Sequence, residues 1–233
     1  MTHWLLATVL FGALVQTPLE PGLHNTTIEV EGVGTLTYGI WIPRDYDPAT
    51  PRPLVLALHP GGSHGPYYGT QFLRGVVGPA LQNWGAIIVA PDAPARRWAN
   101  ETSERGILAL LDDVIDRYAI DTERILDTGF SLGGRGTWYM ASRHPDLFAA
   151  AIPMAARSDS DDAALVGDMP VFIIHARDDE VVPFGPAEQL AQEMAERGQT
   201  VSFLPLEGVG HFQMGAEPLR VAGEWVVERW AER

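Results

Sequence analysis

Leu54-Val55-Leu56-Ala57-Leu58 and Ala86-Ile87-Ile88-Val89-Ala90 are unbroken apolar runs of strand length. A strand with one wet face alternates polar and apolar residues, whereas an unbroken run has no wet face and needs a covering layer on each side. That demand points to a mainly parallel sheet held between helices, and the rest of the chain supplies the pieces.

Arg124–Thr128, Phe148–Ile152, Val171–His175 and Val201–Leu204 read as further strands. Helical segments fall between them. One is expected over 71–84, weakened by Gly75, Gly78 and Pro79; another is capped by Thr102 or Ser103, with Ile107, Leu110, Leu111, Val114 and Ile115 on one face. Leu132–His144 is stopped by Pro145, a helix follows over about Pro186–Gly198, and Leu219, Ala222, Val226 and Trp230 mark a closing helix. Ile28–Val30 and Leu36–Ile42, flanking Gly32 and Gly34, form an antiparallel hairpin at the start. Ser158–Asp162 reads as a short acidic loop. The expected fold class is α/β, with a mostly parallel central sheet, helices on both faces and no large cap domain, because only a short connection separates the strands ending near Ile152 and beginning at Val171.

No composition break interrupts residues 25–233, which read as one domain. Residues 1–24 read as an N-terminal extension or signal peptide. The apolar run Leu5–Val15 is too short to span a bilayer but long enough for a signal-peptide core; no Arg or Lys precedes it and no small-x-small cleavage pattern follows. Secreted or periplasmic and cytoplasmic locations both stay open on this evidence.

Composition excludes whole classes of chemistry. All 16 basic residues are arginine, so Schiff-base catalysis and a P-loop lysine are ruled out. The chain also has no cysteine, which removes thiol nucleophiles, disulfides and cysteine-ligated metals. A net charge of −14 repels nucleic acid and anionic membranes, and favours neutral or weakly polar substrates over anionic ones. Any nucleophile must be oxygen.

Gly129-Phe130-Ser131-Leu132-Gly133 stands where a strand gives way to a helix. A sharp turn there lifts the serine hydroxyl above the sheet, and the flanking glycines remove side chains that would collide. With 24 glycines and 7 serines, chance supplies such a pattern roughly 0.07 times per chain, so its position at a strand–helix junction counts as signal. A serine needs a base and an orienting acid, ordered Ser, then Asp or Glu, then His. The loop after Val171–His175 offers Asp178, Asp179 and Glu180, and His211, between Gly210 and Phe212, is the only histidine beyond them. Oxyanion donors are expected from the N–H of Leu132, at a helix N-terminus, and from the loop His59-Pro60-Gly61-Gly62. Pro60 has no N–H, so Gly61 is the candidate, with His59 supporting the loop. Candidate substrate-binding residues are His64, Tyr67, Tyr68 and Trp98, in loops expected to rim the site. Arg135, one turn past the serine, reads as a structural arginine paired with an acid.

These residues resemble the α/β-hydrolase serine esterases that group with dienelactone-hydrolase-like and prolyl-oligopeptidase-like predicted peptidases, polyhydroxybutyrate depolymerases and feruloyl or acetyl-xylan esterases. The resemblance runs from about Thr35 to Trp230. It rests on Leu58–Gly62, Gly129–Trp138, His144–Ala151, His175–Pro183 and Gly210-His211. It implies that the acid is Asp179, four residues after the strand-end histidine, and that Ser131, Asp179 and His211 form a catalytic triad acting through an acyl-enzyme without metal or organic cofactor. The implied substrate is a small-molecule or polymer-borne carboxylic ester. A peptidase of short peptides using the same triad is the alternative within the group; a non-catalytic binding scaffold is a third reading, opposed by the presence of all three residues. Pro60 and Ala176 depart from the group's pattern, which has glycine at both places.

Overall fold

The computed structural model describes residues 18–62, 65–158 and 160–232. Eight strands form one sheet: β1 (Gly22–Val30), β2 (Gly34–Ile42), β3 (Arg52–Leu58), β4 (Ile87–Pro91), β5 (Ile120–Phe130), β6 (Ala150–Met154), β7 (Val171–Ala176) and β8 (Val201–Leu206). Their spatial order is β1-β2-β4-β3-β5-β6-β7-β8. β1 pairs antiparallel with β2, β2 antiparallel with β4, and all later neighbours are parallel. The unbroken apolar runs lie in β3 and β4, in the interior of the sheet, and their residues split by parity between two cores.

Helices α3 (Glu101–Arg117), α4 (Leu132–Arg143), α5 (Ser160–Leu165) and α6 (Phe184–Glu196) cover one face, where Leu54, Leu56 and Leu58 meet Leu110, Trp138 and Met194 in a shared core. Helices α1 (Tyr68–Phe72), α2 (Gly78–Leu81) and α7 (Glu217–Ala231) cover the other, packing Leu81, Leu219 and Val226 over Val55, Ala57 and Ile88. Burying a large aliphatic side chain contributes about 1.5–3 kcal/mol, so these two layers are the fold's main source of stability.

Several sequence expectations need correction. The helix expected over 71–84 starts earlier, at Tyr68, and is broken into α1, a π-helical turn (Leu73–Val77), α2 and a 3₁₀ turn (Gln82–Trp84). Pro79 removes a backbone donor, and a Cβ on Gly78 would lie 2.9 Å from the Leu73 carbonyl oxygen, so the backbone widens at this point. The cap of α3 is Asn100, whose side chain accepts the Ser103 N–H at 3.0 Å, rather than Thr102 or Ser103. The acidic loop contains a turn of helix, α5, with Asp161 and Asp162 at its favourable N-terminal end. β6 sits two residues later than expected because Pro153, which lacks only one ladder donor, is accommodated within it. The first strand is longer than Ile28–Val30: β1 starts at Gly22, and the Leu19 N–H donates to the Tyr118 hydroxyl at 3.1 Å. The apolar run Leu5–Val15 lies outside the described residues. Among the described residues no helix is long and apolar enough to cross a membrane.

Candidate active site

The C-terminal ends of β5, β7 and β8 converge on one point. Between β5 and α4 a single residue, Ser131, turns the chain with φ 56° and ψ −113°. That conformation costs a non-glycine residue on the order of 1–3 kcal/mol and persists only where its surroundings enforce it. Here the Ser131 N–H donates to the Met154 carbonyl at 2.8 Å, and the Ser131 carbonyl accepts the Arg135 N–H at 2.9 Å. The two glycines of the motif serve close approach. A Cβ on Gly133 would sit 1.8 Å from the Leu58 carbonyl oxygen, and one on Gly129 would sit 2.4 Å from the Gly133 backbone.

His211 opens a 3₁₀ turn (His211–Gln213) after β8 and is 1% exposed. Its Nε2 lies 2.9 Å from Ser131 Oγ, and its Nδ1 lies 2.7 Å from Asp179 Oδ2. With Nδ1 protonated and donating to the carboxylate, Nε2 presents its lone pair to the serine hydroxyl. The Asp179 Oδ1 atom accepts the Val182 N–H at 2.7 Å and the Val181 N–H at 2.9 Å. Burial alone would raise the Asp179 pKa, but hydrogen bonds from Val182, His211 and Val181 outweigh it and hold the carboxyl below its ordinary range. Asp178, the alternative acid, is exposed and its side chain stands outside this line.

Gly61 and Leu132 face each other across the top of the sheet: a Cβ on Gly61 would be 3.5 Å from the Leu132 Cβ. The Leu132 amide is the first of α4 and belongs to the turn that has no intrahelical acceptors. His59 holds the Gly61 loop from below. Its Nδ1–H donates to the Pro60 carbonyl at 2.7 Å, its Nε2 accepts the Ala93 N–H at 3.1 Å, and its carbonyl accepts the Trp98 indole N–H at 2.9 Å.

That last bond corrects one expectation. Trp98 is fully buried, edge-on to His59 at 4.9 Å, so it is a core residue rather than part of a rim. Tyr68 is half-buried and also edge-on to the His59 ring, at 4.9 Å, and Tyr67 is half-buried in a left-handed conformation with φ 62°. His64 lies outside the described residues. Arg135 pairs with Asp162 of α5, as a structural arginine would.

Four residues of the site escaped the sequence reading. Asp92, at the end of β4, accepts the Tyr67 N–H at 2.5 Å, the Gly69 N–H at 2.8 Å and the Thr37 hydroxyl at 2.6 Å, and so fixes the chain leading into α1. His175 is fully buried beneath Asp179; its Nε2–H donates to the Val182 carbonyl at 2.9 Å and stands 3.4 Å from Asp179 Oδ2. Burial lowers its pKa and keeps the ring neutral. The available signal was a histidine ending an otherwise apolar strand. Phe130 packs beneath the His211 ring at 5.0 Å, and Phe212, 77% exposed, stands edge-on to it at 4.9 Å. Beside the site, Ala156, Arg157, Ser158, Val182, Pro183, Pro186 and Ala187 enclose a cavity of about 110 Å³.

The sequence profile of the Dienelactone hydrolase family matches residues 77–218, more than half of the chain and a span that includes Ser131, Asp179 and His211. Feruloyl esterase C of Emericella nidulans is 29% identical over 212 residues, covering 80% of this chain and 73% of that protein. Cutinase 2 of Thermobifida cellulosilytica is 28% identical over 185 residues, covering 77% of this chain and 67% of its own length. Among solved structures, a thermostable esterase superposes with a TM-score of 0.75 at 28% identity, over 88% of this chain and 62% of that one. Est1E of Butyrivibrio proteoclasticus shares the fold, with a TM-score of 0.72 at 16% identity over 90% of this chain and 99% of its own. The chain belongs to the dienelactone hydrolase family.

Proposed function

We propose that this protein is a serine hydrolase that cleaves carboxylic esters through an acyl-enzyme on Ser131. The observation that carries the reading is the unbroken line Asp179–His211–Ser131, with bonds of 2.7 and 2.9 Å ending at a serine held at positive φ. The relatives named feruloyl esterase, cutinase and esterase support the reaction class.

His211 takes the hydroxyl proton at Nε2 as Ser131 Oγ attacks the ester carbonyl carbon. Asp179 keeps the ring in the required tautomer and stabilises the imidazolium. The negative charge moves to the carbonyl oxygen, where the Gly61 and Leu132 N–H groups receive it; one such donor contributes about 3 kcal/mol to the barrier reduction. Collapse returns the proton to the departing alcohol and leaves the acyl group on Ser131. Water, deprotonated by His211, then releases the acid.

The substrate we assign is an ester presented in the open, on a small molecule or on a polymer. Among the described residues the connection from β6 to β7 carries only the six-residue α5, and the exposed apolar side chains Val181 and Phe212 stand on the two loops that carry Asp179 and His211. They favour an ester with an apolar or aromatic part.

Fluorophosphonate labelling and a panel of p-nitrophenyl acetyl, butyryl and feruloyl esters, set against aminoacyl anilides, test the reading. The expected result is labelling that Ser131→Ala abolishes, and ester turnover far above anilide turnover. Labelling unchanged in Ser131→Ala would remove the nucleophile assignment, and faster anilide cleavage would make the protein a peptidase.

A further inference from the structure

The ring of His211 is held by Asp179, but its backbone is held by the next residue in sequence. The Glu180 Oε2 atom accepts the His211 N–H at 2.9 Å. Adjacent residues of the β7 loop therefore grip one histidine at two points, Asp179 at the imidazole and Glu180 at the main chain. We propose that Glu180 is a positioning residue for the reaction: it fixes the loop that presents His211 to Ser131. The proposal rests on the serine-hydrolase reading above.

Three observations support it. First, the Glu180 carboxyl is held below the ordinary glutamate range, foremost by the His211 backbone N–H, although the side chain is exposed. Second, residue 210 leaves room for that carboxylate where it stands. Gly210 has φ −91°, which any residue adopts, so its glycine is not required by backbone conformation; a Cβ there would lie 2.6 Å from Glu180 Oε2. Third, the neighbouring amide is also capped. The Gly210 N–H donates to Gln213 Oε1 at 2.9 Å, so both amides at the start of the 3₁₀ turn end on side chains, and of these two main-chain bonds it is the Glu180 one that reaches another loop.

The mechanical need for such a tie is clear. The loop from β8 to His211 contains Gly208, at φ 68°, and Gly210, two residues with little conformational restraint of their own. A displacement of about 1 Å at a catalytic group costs on the order of 10²-fold in rate, and a freely hinged loop would sample displacements of that size.

The test is a set of three variants of the full chain, assayed on one p-nitrophenyl ester, with melting temperatures measured alongside. Glu180→Ala is expected to lower kcat about tenfold with KM within twofold of wild type, because the loss concerns alignment of the base rather than substrate contact. Glu180→Gln keeps an acceptor oxygen and is expected to recover most of kcat. Gly210→Ala drives a Cβ into the carboxylate and should reproduce the Glu180→Ala loss, whereas adding Gly210→Ala to Glu180→Ala should cost little more, since its collision partner is gone. Unchanged kcat in Glu180→Ala, or equal loss in the Ala and Gln variants, overturns the proposal. A fall in kcat explained by a matching fall in melting temperature also overturns it, in favour of a structural role. If the wild type itself shows no Ser131-dependent turnover, the failure lies with the serine-hydrolase reading and not with the clamp.

Discussion

The two ends of the sheet differ in kind. At the C-terminal ends of the strands the cavities among the described residues are small, about 110 and 210 Å³, yet the backbone is forced to positive φ at Ser131 and at Ala155, and a buried histidine lies between a carboxylate and a hydroxyl. At the N-terminal ends a cavity of about 490 Å³ opens between Thr122 and Glu123, the segment Pro145–Ala149 and the segment Leu165–Met169. Its carboxylates, Glu123, Asp146 and Asp168, have no base or nucleophile aligned with them among the described residues, and Leu165 beside them is 60% exposed. Volume marks one end and organised chemistry the other. In open α/β sheets ligands bind beyond the carboxyl ends of the strands, where loops converge and helix N-termini point inward. It is strain and aligned hydrogen bonds, rather than empty space, that single out the end proposed here for the reaction.

The sharpest way to break this contrast is to remove the nucleophile. Ser131→Ala is expected to lower kcat on a p-nitrophenyl ester by about 10⁵–10⁶-fold while leaving the melting temperature near or above that of wild type, since it removes one hydroxyl and no packing. Retention of even a tenth of the activity would place the reacting group elsewhere, and the larger cavity would become the first alternative.

Next in size is the discrimination between adjacent acids. Asp179→Asn is expected to cost about 10⁴-fold in kcat, because an amide in that place favours the wrong tautomer of His211. Asp178→Asn, at an exposed side chain outside the line, should stay within twofold. Reversed results would move the acid by one residue and require a different loop conformation from the one in which Val181 and Val182 donate to Asp179.

That pair also marks where the sequence was legible. Ser131 and His211 stood out because the glycine pattern and the order of residue types are local signals, and the succession of strands and helices followed from apolar runs separated by helical spacing. Asp179 against Asp178 was not a local signal: the choice is made by which carboxylate the two following amides can reach, and only the resemblance pointed to it. Trp98 was misread because aromatic residues in a loop look the same whether they face water or, as here, donate an indole N–H to a buried carbonyl. The parts that His175, Asp92 and Glu180 play were not legible for a related reason. Each acts on main-chain atoms of another segment, at separations of 7 to 31 residues, and no spacing rule encodes such contacts.

A buried carboxyl near the elbow gives an intermediate effect, on stability. Asp127 in β5 is fully buried; its Oδ1 is 3.3 Å from the Thr137 hydroxyl and its Oδ2 has no hydrogen-bond partner. Burial pushes its pKa well above the ordinary aspartate value. A pKa raised in the folded state means that the folded protein holds the proton more tightly than the unfolded chain. The associated stability is complete at pH below the unfolded value of about 3.9 and is lost as pH rises through the folded value. Asp127→Asn removes this dependence. Its melting temperature relative to wild type is expected to rise with pH across that window, by about 5 °C in total, from about 1–3 kcal/mol for an ill-satisfied buried group. A difference that is flat from pH 4 to pH 9 would show that Asp127 does not titrate on folding.

The smallest expected effect tests the other end of the sheet directly. Asp168→Asn and Leu165→Ser alter the lining of the large cavity without touching either hydrophobic layer's fully buried residues. Both should leave kcat and KM on the ester panel within twofold, because nothing at this end shares a hydrogen bond with Ser131, Asp179 or His211 among the described residues. Melting temperatures should also stay within about 2 °C, as exposed substitutions seldom exceed 0.5 kcal/mol. A tenfold change in KM from either variant would mean that substrate reaches this edge, and the functional division between the two ends would have to be redrawn.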